Sequence, residues 1–273
     1  MFCRVHKTDL FYFYQGTGIP VVMLHGFGPD HRLLSGCIEP LVPRIKPLQR
    51  IYFDLPGMGQ SPAPDQLINA EELLEIILAF IQKILGNRQF ILVGLSYGGY
   101  LARALISHFP HQIRAALFIC PVVKASSEKR QLPDPEIIEE EMALIRRFRS
   151  STDQMFREIA VMQTSPVWQR YQNEVVPGLK AANWAFLERF QKTGYSLPPE
   201  KLLVPQPFEK PVLIITGKQD HIVGYQDVLD WLPDFPRSTY MVLNRAGHLL
   251  QIEQTEVFDS LVLNWFKNLP GTA

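Results

Sequence analysis

Apolar residues follow two alternating patterns along the chain. Short runs rich in β-branched and aromatic residues, each closed by a turn containing glycine or proline, are typical of strands. They predict strands at residues 10–14, 21–24, 50–53, 89–93, 115–120, 211–216 and 240–243. Apolar residues at helical spacing predict helices at 69–85, 99–109 and 256–267. Strands that alternate with helices in this way form a mostly parallel sheet covered by helices on both faces.

The helix predicted at 69–85 has its own start and stop signals. Asn69 can accept a hydrogen bond from the backbone of Glu72 while the Glu72 side chain reaches back, which is the arrangement of a capping box. Gly86, which follows the last apolar position, is typical of a helix C-terminus. These signals define both ends of the helix.

The stretch from 121 to 210 interrupts the alternation. Its helical patterns lie at about 135–149, 153–162, 166–174 and 181–192, with no convincing strand between them. We therefore expect a core domain formed by 1–120 and 211–273, with 121–210 inserted as a helical cap. A separate C-terminal domain that begins near 121 fits less well, because strand patterns resume after 211 without a new linker.

Composition and charge narrow the class of protein. The 273 residues include 27 lysines and arginines against 27 aspartates and glutamates, a balance that disfavours nucleic acid or an anionic membrane as a partner. Cys3, Cys37 and Cys120 form no C-x-x-C pair and predict neither a disulfide framework nor a metal site. The N-terminal residues lack the apolar centre of a signal peptide, and no apolar run is long enough to span a membrane. The expected location is cytoplasmic.

One turn between a strand and a helix has the sequence of a nucleophile. Residues 94–99, GLSYGG, fit the pattern G-x-S-x-G and follow the predicted strand at 89–93. A reactive serine needs a sharp turn that exposes its hydroxyl, and the flanking glycines allow neighbouring backbone to pass closely. The N-terminus of the following helix favours the negative charge that develops nearby. This placement favours Ser96 as a nucleophile over an ordinary glycine–serine turn.

A serine nucleophile needs a histidine base, and the histidine needs an acid that fixes its tautomer. In this class of fold the order along the chain is serine, acid, histidine, each after a strand. His248 follows the last predicted strand in a loop that contains Gly247, and Asp220 follows the strand at 211–216. We predict a triad of Ser96, Asp220 and His248, with Asp227 as the second choice for the acid.

Other histidines and acids are interpreted as structural. His25 ends a predicted strand, where it is expected to shape the turn, and Asp54 belongs to a loop-forming run. Glu253 is expected to brace the loop of His248 or the start of the following helix. The histidines in surface-type contexts are His6, His31, His108 and His111.

Acyl transfer also needs hydrogen-bond donors for the oxyanion of the tetrahedral intermediate. The backbone N–H of Tyr97, directly after Ser96, is the first candidate. The backbone N–H of Phe27 is the second, because glycines on both sides let this backbone come close. We predict an oxyanion hole formed by these two N–H groups.

Together these segments resemble the α/β-hydrolase superfamily over nearly the whole chain. The matching segments, in order, are 25–28 (HGFG), 54–61 (DLPGMGQS), 94–99, 217–220 (GKQD) and 247–248. The resemblance implies an eight-stranded, mostly parallel sheet, a Ser96–Asp220–His248 triad and a helical cap over the active site. Epoxide hydrolases and haloalkane dehalogenases of this fold have aspartate in place of Ser96, and dienelactone hydrolases have cysteine, so those activities are disfavoured. Proline iminopeptidases usually have tryptophan in place of Tyr97.

The expected cap is rich in aromatic residues, a composition that fits a lid with an apolar pocket on its underside. Any single one of these residues can equally be ordinary core packing. They are Phe148, Phe156, Trp168, Tyr171, Trp184, Phe186, Phe190, Tyr195 and Phe208.

Three functions fit these observations, and we favour the first. It is a serine hydrolase, like a carboxylesterase, that cleaves a small, largely apolar ester or related acyl compound through a Ser96 acyl-enzyme. The second is a carbon–carbon bond hydrolase or lyase acting on an anionic dienone or enol acid, which cap arginines facing Ser96 would favour. The third is a non-catalytic small-ligand receptor, against which the complete triad argues. We expect a small-molecule substrate and no cofactor or metal, and the sequence is compatible with a homodimer.

Overall fold

The computed structural model describes residues 1–45, 47–66, 68–202 and 204–270. The strands within these residues are β1 (Phe2–Val5), β2 (Thr8–Gln15), β3 (Ile19–Leu24), β4 (Leu48–Phe53), β5 (Phe90–Leu95), β6 (Ile113–Ile119), β7 (Glu139–Glu140), β8 (Met162–Gln163), β9 (Val212–Gly217) and β10 (Ser238–Leu243). The α-helices are α1 (Arg32–Ile38), α2 (Ala70–Leu85), α3 (Tyr97–His108), α4 (Met142–Ile145), α5 (Ser151–Ile159), α6 (Ser165–Glu174), α7 (Val176–Ala181), α8 (Trp184–Thr193), α9 (Leu250–Glu253) and α10 (Thr255–Lys267). Short 3-10 helices lie at Glu39–Arg44, Ser127–Lys129, Pro199–Leu202 and Gln226–Asp234.

Eight of the described strands form one sheet, in the order β1-β2-β4-β3-β5-β6-β9-β10. The pairings of β2 with β1 and with β4 are antiparallel, and the others in this sheet are parallel. Every residue of β5 and β9 is buried, as expected for parallel strands covered on both faces. The predicted eight-stranded, mostly parallel sheet flanked by helices is therefore confirmed.

Helix α2 begins and ends where the sequence predicts. The Asn69 side chain accepts from the Glu72 N–H at 3.0 Å, and the Glu72 carboxylate accepts from the Asn69 N–H at 2.9 Å. Gly86 ends the helix with a φ of 56°, in the left-handed region that favours glycine. The capping box and the C-terminal stop are both confirmed.

Residues 120–211, between β6 and β9, are called the insertion below. The insertion contains α4 to α8, so its mostly helical character is confirmed, whereas the prediction of one helix over 135–149 is wrong. In that region β7 pairs with β8, because the N–H of Ile138 donates to Val161 O at 2.8 Å and the N–H of Glu141 donates to Gln163 O at 3.0 Å. These contacts override the local helical pattern, and only Met142–Ile145 is helical there. The division into a core domain and a cap domain stays a prediction.

The three cysteines are buried and unpaired, in agreement with the prediction that they form no disulfide framework. Across the described ranges, none of the helices combines the length and the apolar character that crossing a bilayer requires. The buried core includes the central parallel strands β5 and β9, whose carboxyl ends meet along one edge of the sheet.

Candidate active site

Ser96 occupies the predicted turn between β5 and α3. Its φ of 55° and ψ of −118° are unusual for a residue other than glycine, and the surrounding hydrogen bonds hold this strained conformation. The Ser96 N–H donates to Ile119 O at 2.9 Å, and the Ser96 carbonyl accepts from the N–H of Val122 at 3.0 Å. Both partners lie at or just beyond the end of β6, so the sheet itself fixes the backbone of this serine.

Two glycines allow the backbone to come close to this turn. A Cβ atom at Gly98 would lie 2.2 Å from Leu24 O, well inside contact distance. A Cβ atom at Gly26 would lie 3.2 Å from the Ser96 Cβ. The turn after β3 therefore passes directly against the Ser96 side chain.

His248 and Asp220 complete the predicted arrangement around Ser96. The His248 Nε2 lies 3.0 Å from the Ser96 Oγ, and the His248 Nδ1 lies 2.8 Å from Asp220 Oδ2. Since a carboxylate accepts hydrogen bonds, Nδ1 carries the ring proton and Nε2 faces the serine as the proton acceptor. The second-choice acid, Asp227, is instead bonded to Lys124 at 2.6 Å.

The carboxyl of Asp220 is fully buried and ionised. Burial by itself raises the pKa of Asp220, but the neighbouring His248 and two backbone N–H donors hold it below its ordinary value. These donors are the N–H groups of Ile222 at 2.9 Å and Val223 at 3.0 Å, which bind Oδ1. Asp220 can thus keep a negative charge beside an imidazolium formed on His248.

Glu253 fixes the loop that carries His248. Its Oε2 accepts from the N–H of Gly247 at 2.6 Å, and its Oε1 accepts from the N–H of Val161 in the insertion at 2.8 Å. Burial raises the pKa of Glu253 to about 7, against the opposing effect of these N–H donors. The expected bracing role is confirmed, and the same carboxyl also ties the His248 loop to the insertion.

His25 shapes the turn after β3, as expected. Its Nε2 accepts from the N–H of Leu55 at 2.9 Å, so Nδ1 carries the proton and donates to Gly26 O at 2.7 Å. Burial lowers the pKa of His25, which keeps the ring neutral in this role. The turn beside Ser96 is therefore held from two sides.

Asp54 has the expected structural role, at the end of β4. Its carboxylate accepts from the backbone N–H groups of His31 and Gln60, each at 2.9 Å. The prediction of a surface context for His31 is wrong, because its side chain turns inward and its Nδ1 lies 2.8 Å from Asp54 Oδ1. Local sequence carries no sign of this contact, which joins residues far apart in the chain.

The backbone N–H groups of Phe27 and Tyr97 flank Ser96. Tyr97 follows it directly, and Phe27 follows Gly26, whose position against Ser96 is described above. Neither N–H donates a hydrogen bond to another residue within the described part of the chain. The oxyanion hole formed by these two N–H groups stays a prediction.

A cavity of about 340 Å³ opens at Ser96 and His248. Its walls are mostly apolar and come from both the insertion and the remainder of the chain. Among the described residues that line the cavity, the ionisable side chains are those of Glu158, Tyr171 and His248, and none is a lysine or arginine. The insertion contributes Met155, Glu158, Ile159, Tyr171, Val175, Leu179, Trp184 and Gln191.

Residues 19–255 match the family model for the alpha/beta hydrolase fold. The chain belongs to the α/β-hydrolase family. The solved structure of an alpha/beta superfamily hydrolase from Oenococcus oeni PSU-1 is 32% identical to this hydrolase, with a TM-score of 0.82 over 94% of this chain and 96% of that chain.

The names of two curated relatives of the hydrolase give different substrates. The pimeloyl-[acyl-carrier protein] methyl ester esterase of Legionella pneumophila (strain Paris) is 23% identical over 266 residues, which are 93% of this chain and 97% of that protein. The 2-hydroxymuconate semialdehyde hydrolase of Pseudomonas putida is 25% identical over 253 residues, which are 92% of this chain and 88% of that protein. At this identity the relatives leave the substrate class of the hydrolase undecided.

Some of the aromatic residues expected in the cap of the hydrolase line the cavity, and others do not. Tyr171 and Trp184 line the cavity. Phe190 and Tyr195 pack against the Phe27 ring, with ring centroids 6.1 and 5.4 Å from it. Only part of the aromatic set therefore contacts the cavity, and the remainder is packing.

Two buried groups of side chains in the described residues are close enough to hold a metal ion. One is Asp220 and His248 together with Cys120, and these two triad members are already bonded. The other is Asp30, His31 and Asp54. In that group Asp30 pairs with Arg32, and both oxygens of Asp54 accept backbone N–H groups. The side chains of both groups thus already take part in hydrogen bonds within the protein.

Leu33 and Gln251 are among the wall residues of the hydrolase that sequence reasoning missed. Leu33 lies on α1, a short helix that the apolar pattern does not reveal. Gln251 lies on α9, three residues after His248, and this closeness to the predicted base is the one signal that could have singled it out.

Proposed function

We propose that the protein is a serine hydrolase that cleaves small, largely apolar esters through an acyl-enzyme on Ser96. The observation that carries this proposal is the hydrogen-bonded chain from Ser96 through His248 to Asp220, which opens into an apolar cavity. A positioned base, an orienting acid and an apolar binding site are the parts that acyl transfer needs.

In the proposed reaction, the Ser96 Oγ attacks the carbonyl carbon of the ester while His248 Nε2 takes the hydroxyl proton. Asp220 stabilises the imidazolium, and the N–H groups of Phe27 and Tyr97 bind the oxyanion. Each such donor is worth about 3 to 4 kcal/mol in the transition state. His248 then protonates the leaving alcohol, and a water molecule activated by the same histidine releases the acid.

The charges around the cavity favour a neutral ester over the anionic dienone or enol acid considered above. A bound carboxylate would have no lysine or arginine among the described wall residues, and it would lie in the same cavity as Glu158. Two arginines of the insertion have other partners. Arg170 pairs with Glu174 at 2.6 Å, and Arg130 donates to backbone carbonyl groups.

A fluorophosphonate probe tests the nucleophile directly. We expect wild-type protein to be labelled, and Ser96→Ala to lose labelling and at least about 10⁴-fold in ester hydrolysis, as for the nucleophiles of other serine hydrolases. Ser107→Ala is the matched control, because Ser107 lies on the same helix and, among the described residues, its side chain bonds only to groups of that helix. Undiminished labelling of Ser96→Ala, or no labelling of the wild type, would contradict the proposal.

A substrate comparison tests the reaction class separately. We expect kcat/KM for p-nitrophenyl alkanoates to exceed kcat/KM for a dienone acid. The reverse order would support carbon–carbon cleavage. Labelling by the probe without turnover of any ester or dienone acid would instead support a ligand receptor.

A further inference from the structure

One wall of the active-site cavity carries a polar side chain without a partner. Gln251 lines the cavity and is fully buried, yet neither its Nε2 nor its Oε1 bonds to any residue that the structure describes. A buried amide that loses its hydrogen bonds to water without replacing them destabilises the folded protein. Such a group in a binding site points to a ligand that supplies the missing bonds.

Tyr171 adds a second polar group to the same cavity. Its side chain is buried and lines the cavity, and its hydroxyl forms no hydrogen bond with the described residues. Burial raises the pKa of this phenol, so the hydroxyl remains protonated and can donate. Two side chains of an otherwise mostly apolar site therefore offer unused hydrogen-bonding groups.

The two groups belong to elements that are fixed to each other. Arg170, the neighbour of Tyr171 on α6, donates to the backbone carbonyl of Gln251 on α9 at 2.8 Å. The same guanidinium donates to Thr255 Oγ1 at 2.7 Å, where α10 begins. This anchoring holds α6 against α9, so the backbones that carry Tyr171 and Gln251 are in place before a ligand binds.

The chemistry of the pair defines its ligand. The Gln251 amide both donates and accepts, and the Tyr171 hydroxyl donates, so a neutral group that does both is the best match. Primary amides and hydroxyl groups have this property. A carboxylate only accepts and would share the cavity with Glu158, and an alkyl chain would leave the buried amide unpaired.

We infer that the cavity selects esters in which one chain carries a neutral amide or hydroxyl group, bound by Gln251 together with Tyr171. This inference rests on the proposed esterase function and names its substrate class. Gln251 is then a specificity residue, and the cavity is built for a substrate that is apolar along most of its length and polar at one point.

The test compares esters of matched length whose chain ends in a methyl, a primary amide, a hydroxyl or a carboxylate group. One series varies the acyl chain of p-nitrophenyl esters, and the other varies the alcohol chain of acetate esters. When the chain is long enough for its end to reach Gln251, we expect the ester that ends in an amide or hydroxyl group to have the higher kcat/KM. It should exceed the kcat/KM of the ester that ends in a methyl group by at least about tenfold, which corresponds to about 1.4 kcal/mol. The carboxylate ester should be the poorest substrate.

Gln251→Met keeps the length of the side chain and removes its hydrogen-bonding groups. We expect this variant to lose the preference for the polar ester, mainly through KM. Its melting temperature should equal or exceed that of the wild type, because an unpaired buried amide has been removed. A structural glutamine would instead lower the melting temperature when replaced. Gln82→Met, at an exposed position of α2, is the matched control and should keep the preference.

Tyr171→Phe is a second variant that should weaken the same preference. It keeps the inference testable even if Gln251→Met does not fold. Equal turnover of polar and methyl esters by the wild type, or an unchanged preference in Gln251→Met and Tyr171→Phe, would overturn the inference while leaving the esterase function intact. No turnover of any ester and no fluorophosphonate labelling would overturn the proposed function, and this inference with it.

Discussion

Replacing Glu253 by glutamine should remove part of the pH dependence of the free energy of unfolding. Glu253 is 8% exposed, and burial raises its pKa to about 7 although backbone N–H donors oppose the change. In the unfolded chain the same carboxyl has a pKa of 4.5. The two states therefore release this proton in different pH ranges.

The sign and the size of the effect follow from these two pKa values. Below pH 4.5 the carboxyl is protonated in both states, and well above pH 7 it is ionised in both. Between these limits the folded protein holds a proton that the unfolded chain has lost, so the free energy of unfolding decreases as the pH rises. At about 1.36 kcal/mol for each pH unit that separates the pKa values, the total decrease is roughly 3 kcal/mol.

Urea unfolding of the wild type and of Glu253→Gln at several pH values between 4.5 and 8 measures this contribution. The difference between the two free energies should change by about 3 kcal/mol in favour of the variant as the pH rises, because other titrating groups cancel. Glu256→Gln, at an exposed position in the first turn of α10, is the control. A difference that stays constant over this range, or changes in the opposite direction, would refute the reasoning.

Three further predictions concern the triad, the tight turn and the thiols. Asp220→Asn keeps the size of the side chain but removes its charge, so ester hydrolysis should fall by about 10⁴-fold with an unchanged circular dichroism spectrum, and a fall below tenfold would contradict its proposed role. Gly98→Ala would place a Cβ atom 2.2 Å from Leu24 O and should cost at least about 2 kcal/mol in urea unfolding, whereas a wild-type midpoint would show that the turn can relax. Burial raises the pKa of each thiol, so a disulfide reagent should modify none of them in the native protein and all of them in denaturant, and rapid native modification would disprove this. The thiols are those of Cys3, Cys37 and Cys120.

Elements with local causes could be predicted from the sequence. Helix α2 forms where a capping residue, an apolar stripe and a C-terminal glycine occur together. The central strands are similar, because a parallel strand buried on both faces must be a continuous apolar run. The positions of Ser96, Asp220 and His248 follow from the same pattern, since each residue comes directly after a strand or within the loop that follows one.

Features with distant causes could not be predicted in this way. Strand β7 has a helical sequence pattern but pairs with β8, more than twenty residues away along the chain. His31 resembles a surface histidine until Asp54 reaches it from the end of β4. The role proposed for Gln251 depends on its lack of hydrogen bonds to the described residues, which is known only once its neighbours are in place.

The pairing of β6 with β9 has a consequence for how such a chain can evolve. These strands lie side by side, with Ala116 opposite Val212 and Ile119 opposite Ile215, so the insertion takes no place in the main sheet. Its length and sequence can change while the strand order, and with it the meeting of Ser96 with His248, is kept. A replacement segment must still offer Glu253 a backbone N–H in place of that of Val161. Mutation of the insertion can therefore alter which molecules enter the site while the geometry of Ser96, His248 and Asp220 is kept.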